Sequence, residues 1–170
     1  MTSTSKKDFD LRPVEKLIDS PKIQARVAEI GGQITRDYHG KDLVMVGVLK
    51  GCMVFIADLI RHINLPLEVE FLSAASYTRG TTPNETLEVA GPRPIALKGR
   101  HVLVVEGIVE TGRTAREIVK QLHAEEPASV EIVTLLDKPG AHRTGTSVRY
   151  TGFSIGNEFV VGYGLDNTQK

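Results

Sequence analysis

The sequence predicts an α/β domain with a mainly parallel, twisted sheet flanked by helices. Short apolar runs such as Leu43–Leu49 are typical of strands buried on both faces. They alternate with segments such as Ser20 to Tyr38, in which apolar residues recur at helical spacing. That alternation is characteristic of parallel sheets with crossover helices. A chain of 170 residues, 41% of them hydrophobic, suffices for one core, so we predict a single domain over residues 1–170.

The individual elements follow from these patterns in chain order. Ser20 and Pro21 are typical of the N-cap and first position of a helix, which continues to about Tyr38. The other predicted elements are a strand at 43–49, a helix at 53–63, a strand at 67–72, a strand at 101–106, a helix at 114–124, a strand at 130–136 and a short final strand at 159–162.

Two segments lack such a pattern. Residues 73–94 contain Gly, Pro, Thr and Asn without sustained periodicity, and loops of that length usually form lids or are disordered. We therefore predict a mobile lid there. Residues 1–10 are polar and are predicted to form a tail.

The composition favours a small molecule as partner. Twenty-one basic residues balance twenty-one acidic ones, and no block of five like charges indicates binding to nucleic acid or to a membrane surface. Residues 1–10 lack the apolar run of a signal peptide, and no run approaches the about 18 apolar residues that indicate a membrane span. Cys52 is the only cysteine, which excludes an internal disulfide and agrees with a cytoplasmic location.

The residues best suited to binding and catalysis are concentrated where the predicted strand at 101–106 leads into the helix at 114–124. Backbone N–H groups at that helix start, with the hydroxyls of Thr111 and Thr114, form a cradle suited to a phosphate monoester. Glu106 and Glu110 stand at its rim, where carboxylates are costly unless they contact hydroxyls, a proton, a developing cation or a metal. The alternative is an ordinary strand end with solvated glutamates.

Several ordered motifs occur with this segment: Val46–Gly51, Ala57–Leu59, Ser76–Tyr77, Asp137–Pro139 and Phe159–Asp166. Together they resemble the type I phosphoribosyltransferases, whose fingerprint is an apolar strand, two acids, two apolar residues, an Asp and then Thr-Gly-Lys/Arg-Thr. The closest resemblance is to the hypoxanthine-guanine subfamily. It implies the type I fold, with a small hood built from the terminal segments, and commonly a homodimer or homotetramer.

The resemblance also implies an activity and its site residues. The activity is transfer of the phosphoribosyl group of 5-phosphoribosyl-1-pyrophosphate (PRPP) to N9 of hypoxanthine or guanine, which gives the purine nucleoside monophosphate and pyrophosphate with Mg²⁺ as cofactor. By position, the resemblance assigns the 5′-phosphate to Thr111, Gly112, Arg113 and Thr114, and pyrophosphate to Leu49, Lys50 and Gly51, a loop that often contains a non-proline cis peptide. It assigns the lid to Ser76 and Tyr77, and the purine to Lys138 at O6, to Phe159 by stacking and to Val160 through its backbone. It assigns Mg²⁺ to Asp166 and Glu106, and catalysis to Glu106 and to Glu110, which would accept the N7 proton.

Three departures from the family pattern accompany the resemblance. Gly107 stands where the family has its second acid, Glu110 stands where it has the base Asp, and relatives usually continue beyond the position of Lys170. We expect slow transfer as a result. We also expect the rate to rise when Asp is restored at both positions 107 and 110.

Two other functions remain open from the sequence. A binding protein of the same fold would sense PRPP or a purine nucleotide without converting it, and the departures favour it, whereas retention of Lys50, Lys138 and Phe159 favours an enzyme. The segment from Gly107 to Thr114 also reads GxxxxGRT, one residue from the phosphate loop of nucleotide hydrolases. Against that, Arg is a poor replacement for the compact lysine of that loop.

Overall fold

A six-stranded sheet organises the residues that the structure, a computed structural model, describes: 15–77, 86–90 and 96–165. Helices cover both faces of this sheet. The elements are α1 (Ser20–Asp37), β1 (Leu43–Leu49), α2 (Met53–Ile60), β2 (Leu67–Tyr77), β3 (Thr86–Ala90), β4 (His101–Val109), α3 (Arg113–His123), β5 (Ser129–Asp137), a short 3-10 helix (Pro139–Ala141) and β6 (Tyr150–Ser154).

The strand order is β3-β2-β1-β4-β5-β6, and all neighbours are parallel except β2 and β3. This confirms the predicted α/β fold with a mainly parallel sheet. Chain order reverses between β1 and β4, the point at which loops diverge and ligands bind in open α/β sheets.

Two apolar cores lie on opposite faces of the sheet. In β1, Leu43 and Met45 belong to the core that α1 and α2 cover, while Val44, Val46 and Val48 belong to the core that α3 covers. Because successive side chains of a strand point to opposite faces, a strand between two cores must be apolar throughout. No helix in the described part of the chain is long and apolar enough to cross a membrane.

The helix ends differ slightly from the predicted ones. Helix α1 begins at Ser20, so Asp19 is its N-cap and Pro21 lies in the first turn, where a missing N–H costs nothing. Helix α2 ends at Ile60 rather than Ile63. The N–H groups from Arg61 to Ile63 donate to carbonyls three residues back, which is 3-10 geometry instead of α-helical bonding.

The prediction that residues 73–94 form a loop is wrong in part, while their role as a mobile lid stays a prediction. Strand β2 continues to Tyr77 and pairs antiparallel with β3, from Ser73 opposite Ala90 to Tyr77 opposite Thr86. The remainder of the predicted lid and the polar tail lie outside the described residues.

The predicted final strand at 159–162 is also wrong. The sixth strand is Tyr150–Ser154, parallel to β5, and the Phe159 region forms no strand. A Cβ on Gly152 would lie 2.3 Å from the Leu135 carbonyl oxygen of β5, so this position of the sixth strand favours glycine. The glycine interrupts the apolar pattern by which a strand is predicted. Of the predicted hood, the structure describes residues 155–165, which pack against the α1–α2 core through Ile155, Val160, Tyr163 and Leu165.

Candidate active site

The loops after β1, β4 and β5 lie together at the carboxyl edge of the sheet. The register pairs Gly47 with Val105 and Val109 with Asp137, so these three strands end side by side. The Lys138 backbone N–H donates to the Val109 carbonyl at 2.9 Å, which joins the ends of β4 and β5. The residues predicted to hold phosphate, pyrophosphate and purine therefore come from adjacent loops.

A phosphate-sized cradle lies where β4 passes into α3. Gly112, the N-cap of α3, has φ +76°, and a Cβ there would lie 2.6 Å from the Thr144 hydroxyl oxygen. Both the left-handed backbone and the lack of space therefore favour glycine. The loop is fixed by the Arg143 N–H, which donates to the Thr111 carbonyl at 3.0 Å, and by the Thr146 hydroxyl, which donates to the Gly112 carbonyl at 3.1 Å.

A cavity of about 170 Å³ opens at this cradle. The free N–H groups of a helix start attract anions, and the cavity gives an anion room to reach them. It is lined by Glu106, Ile108, Val109, Glu110, Thr111, Gly112, Thr114 and Ala115.

Glu106 is a buried carboxyl in the wall of this cavity. Only 8% of the residue is exposed, and burial raises the pKa of its carboxyl to about 8. Without a ligand the group is therefore mostly protonated at neutral pH. A hydroxyl donor or a positive charge in the cavity would stabilise its ionised form.

Glu110 and Lys138 form an ion pair across the ends of β4 and β5. The Lys138 ammonium donates to a carboxylate oxygen of Glu110; the lysine side chain is 6% exposed, that of Glu110 53%. Lysine is almost never this buried without a partner, because an unpaired ammonium is poorly solvated inside a protein. The pair thus places a hydrogen-bond donor and a hydrogen-bond acceptor side by side next to the cavity, which Glu110 also lines.

A second pair joins Asp137, the residue before Lys138 in the chain, to His142. Their side chains are 2.7 Å apart, and the Asp137 carbonyl accepts the Ile155 N–H at 2.9 Å. The five histidines show no metal-ligand spacing in the sequence, so the residue pattern does not single out His142. The 3-10 helix Pro139–Ala141 is what returns the chain and brings His142 to Asp137.

The loop after β1 contains the non-proline cis peptide Leu49–Lys50 that the resemblance implied. This loop contacts β4 at Gly107, where a Cβ would lie 2.4 Å from the Gly51 carbonyl oxygen and 2.9 Å from Cδ2 of Leu165. A side chain at position 107 would require these neighbours to shift. The rise in rate expected when Asp is restored at both positions 107 and 110 stays a prediction. The phosphate-loop alternative is wrong, because Gly107 lies inside β4 and not in a loop.

The remaining predicted residues are less well placed. Phe159 is 74% exposed, and Val160 packs partly against the α1–α2 core. The backbone of Ser76 and Tyr77 ends β2 at the same edge of the sheet as the site. Asp166 lies outside the described residues, and within those residues no group of three His, Cys, Asp or Glu side chains is arranged to hold a metal ion.

Comparison with known proteins identifies the family. A family model described as a phosphoribosyl transferase domain matches residues 13–168. The chain belongs to the phosphoribosyltransferase family. The hypoxanthine phosphoribosyltransferase of Haemophilus influenzae is 44% identical over 160 residues, which cover 92% of this chain and 89% of that protein.

Further relatives support membership. The hypoxanthine-guanine phosphoribosyltransferase of Streptococcus pneumoniae is 41% identical over 150 residues, which cover 88% of this chain and 83% of that protein. A crystal structure of a Bacillus anthracis hypoxanthine-guanine phosphoribosyltransferase matches with a TM-score of 0.86 at 36% identity and covers 92% of each chain. The phosphoribosyltransferase fold implied by the sequence motifs is thus confirmed.

Proposed function

We propose that this chain is a purine-salvage enzyme that transfers the phosphoribosyl group of PRPP to N9 of hypoxanthine or guanine. The observation that carries the proposal is that the phosphate cradle, the buried carboxyl of Glu106 and Glu110, which is paired with Lys138, line one cavity. That arrangement offers separate contacts to a phosphate, a ribose and a polar base. The names of the relatives support the same activity.

The ribose phosphate would occupy the cavity. Backbone N–H groups and hydroxyls from Thr111 to Thr114, with the Arg113 side chain, would hold the 5′-phosphate. Glu106 would accept hydrogen bonds from ribose hydroxyls and, once ionised, stabilise positive charge that develops at C1′ as pyrophosphate leaves. The loop Leu49–Gly51 would hold that pyrophosphate.

The base would insert at the Glu110–Lys138 pair. Lys138 would donate to the 6-oxo oxygen and Glu110 would accept the N7 proton, so that both members of the pair find new partners on one molecule. Phe159 would stack on the ring and Val160 would offer its backbone groups. The exposed ring of Phe159 suits a stacking role better than a core role.

The donor atoms of the site fit Mg²⁺, which prefers oxygen ligands. Glu106 and Asp166 would provide carboxylates, and PRPP would supply further oxygens, as is usual for this ion. Bound Mg²⁺ neutralises charge on the departing pyrophosphate. Chelation by EDTA should therefore abolish transfer and weaken PRPP binding far more than binding of a nucleoside monophosphate, whereas equal weakening would contradict the assignment.

We further propose a homodimer or homotetramer located in the cytoplasm. The exposed apolar side chains of Met53 and Val54 at the start of α2 offer a surface for a second copy, and the free thiol of Cys52 suits a reducing compartment. Ser76 and Tyr77 would belong to a segment that excludes water during transfer.

The test is transfer by the purified protein with PRPP, Mg²⁺ and each purine in turn. We expect nucleoside monophosphate from hypoxanthine and guanine, and an at least roughly tenfold preference over adenine, because the 6-amino group leaves Lys138 without an acceptor. Efficient use of adenine would contradict the role of Lys138. Binding of PRPP without transfer to any purine would favour the sensor instead.

A further inference from the structure

Gly107 is the point at which three segments of the chain meet. A Cβ on this residue would lie 2.4 Å from the carbonyl oxygen of Gly51, 2.8 Å from its carbonyl carbon and 2.9 Å from Cδ2 of Leu165. Real Cβ atoms essentially never approach other atoms this closely. The loop after β1 and the segment that ends at Leu165 therefore both rest on the bare backbone of β4.

The loop cannot easily move away from a side chain at this position. The Lys50 carbonyl accepts the Met53 N–H at 3.1 Å, and the Cys52 carbonyl accepts the Ile56 N–H at 2.8 Å, so the loop continues directly into α2. Cys52 and Phe55 are completely buried on that helix. Lifting Gly51 from β4 would strain these buried contacts.

The segment that contains Leu165 is also anchored. The Tyr163 hydroxyl donates to a carboxylate oxygen of Asp58 on α2 at 2.5 Å, and Gln24 of α1 donates to the same oxygen at 2.9 Å. These two hydrogen bonds lower the pKa of the Asp58 carboxyl, so Asp58 is a charged acceptor at neutral pH. Because Leu165 lies two residues after Tyr163, these hydrogen bonds hold it beside Gly107 and Gly51.

We infer that Gly107 is a positioning residue for the pyrophosphate loop. Its lack of a side chain lets the Leu49–Gly51 loop and Leu165 pack on β4, which fixes the loop backbone at the end of the site where PRPP carries its pyrophosphate. The inference rests on the proposed function, since it requires that this loop binds pyrophosphate. It predicts that a side chain at position 107 weakens the binding of pyrophosphate but not of the 5′-phosphate. The cradle for the 5′-phosphate, Thr111–Thr114, takes no part in the contact between Gly107, Gly51 and Leu165.

The test is Gly107→Ala, compared with Gly32→Ala as control. Gly32 lies on α1, and an added Cβ there would have its nearest contact 3.6 Å away, at the tip of Arg36, so it reports the effect of a methyl group that fits. We expect Gly107→Ala to raise the KM for PRPP and the Kd for pyrophosphate by about tenfold or more, since misplacement of about 1 Å is costly in such sites. The Kd for ribose 5-phosphate should change less than about twofold, and Gly32→Ala should change none of the three constants.

A second variant covers the case in which Gly107→Ala does not fold. Leu165→Ala removes one partner of the contact without inserting any atom, and we expect it to weaken pyrophosphate binding by a few fold while ribose 5-phosphate binding is unchanged. Equal weakening of all ligands in both variants, or no change in either, would overturn the positioning role. If the unmodified protein binds neither pyrophosphate nor PRPP, the proposed function fails first and this inference fails with it.

Discussion

Replacement of the buried Glu106 by glutamine should stabilise the ligand-free protein, and the gain should increase with pH. Burial raises the pKa of this carboxyl from 4.5 to about 8. Because the folded value lies above the unfolded one, the unfolded chain releases the proton first as pH rises. The wild-type protein therefore loses stability between about pH 4.5 and pH 8, whereas the Glu106→Gln variant has no group that titrates at this position.

The size of the effect follows from that interval. Each pH unit between the two pKa values costs about 1.4 kcal/mol, so the interval from 4.5 to about 8 corresponds to at most about 5 kcal/mol of unfolding free energy. Between about pH 6 and pH 8, the wild-type protein should lose about 2 kcal/mol relative to Glu106→Gln. That loss is a large fraction of the stability of a typical domain.

Urea unfolding at pH 6 and pH 8, followed by circular dichroism, measures the difference. Circular dichroism is chosen because the chain has no tryptophan whose fluorescence could report unfolding. EDTA is added, and PRPP and nucleotides are left out, so that no ligand binds the Glu106 carboxyl. Glu29→Gln makes the same chemical change at a side chain that is 61% exposed, and it should alter stability by no more than about 0.5 kcal/mol at either pH. A stability difference between wild type and Glu106→Gln that is equal at both pH values would refute the reasoning.

Three further outcomes are expected. Lys138→Ala should raise the KM for hypoxanthine by about tenfold or more and leave the Kd of ribose 5-phosphate unchanged, because only the base meets the ammonium; steady-state kinetics and calorimetry measure both, and an unchanged KM would contradict the contact. Glu110→Gln should lower kcat by about 10²–10⁴ with little effect on the KM for PRPP, since it removes a proton acceptor; kcat near the wild-type value would exclude that role. Burial raises the pKa of the Cys52 thiol to about 12, so iodoacetamide at pH 8 should label the unfolded protein rapidly and the folded protein only slowly. Mass spectrometry measures the labelling, and fast labelling of the folded protein would mean that the thiol is accessible.

The sequence was sufficient to predict the elements that lie between the two cores. Strand β1 must be apolar on both faces and α1 on one face, and those requirements appear directly in the residue pattern. Strand β6 was missed because Gly152 replaces an apolar residue where two backbones approach closely. The hairpin of β2 and β3 was missed because residues 73–94 show no sustained periodicity in the sequence.

The candidate site was predictable as a set of loops but not as a set of contacts. Motif spacing brings Glu106, Glu110 and Lys138 to one edge of the sheet, because parallel strands end on the same side. The pairing of Asp137 with His142 depends on a short 3-10 helix that the residue pattern does not indicate. The space at Gly107 depends on three segments far apart in the chain, so only the folded structure reveals it.

The ion pair between Glu110 and Lys138 has a geometric consequence for the substrate. Glu110 follows β4 and Lys138 follows β5, and the register of Val109 opposite Asp137 holds these two strands together. Neighbouring strands lie about 4.8 Å apart, a spacing that the backbone hydrogen bonds keep nearly constant. The spacing of β4 and β5 therefore sets the separation between the donor and the acceptor that would meet the base. The sequences of the loops can vary without changing that separation. A change in which ring system is accepted would have to come from the lengths of the two side chains.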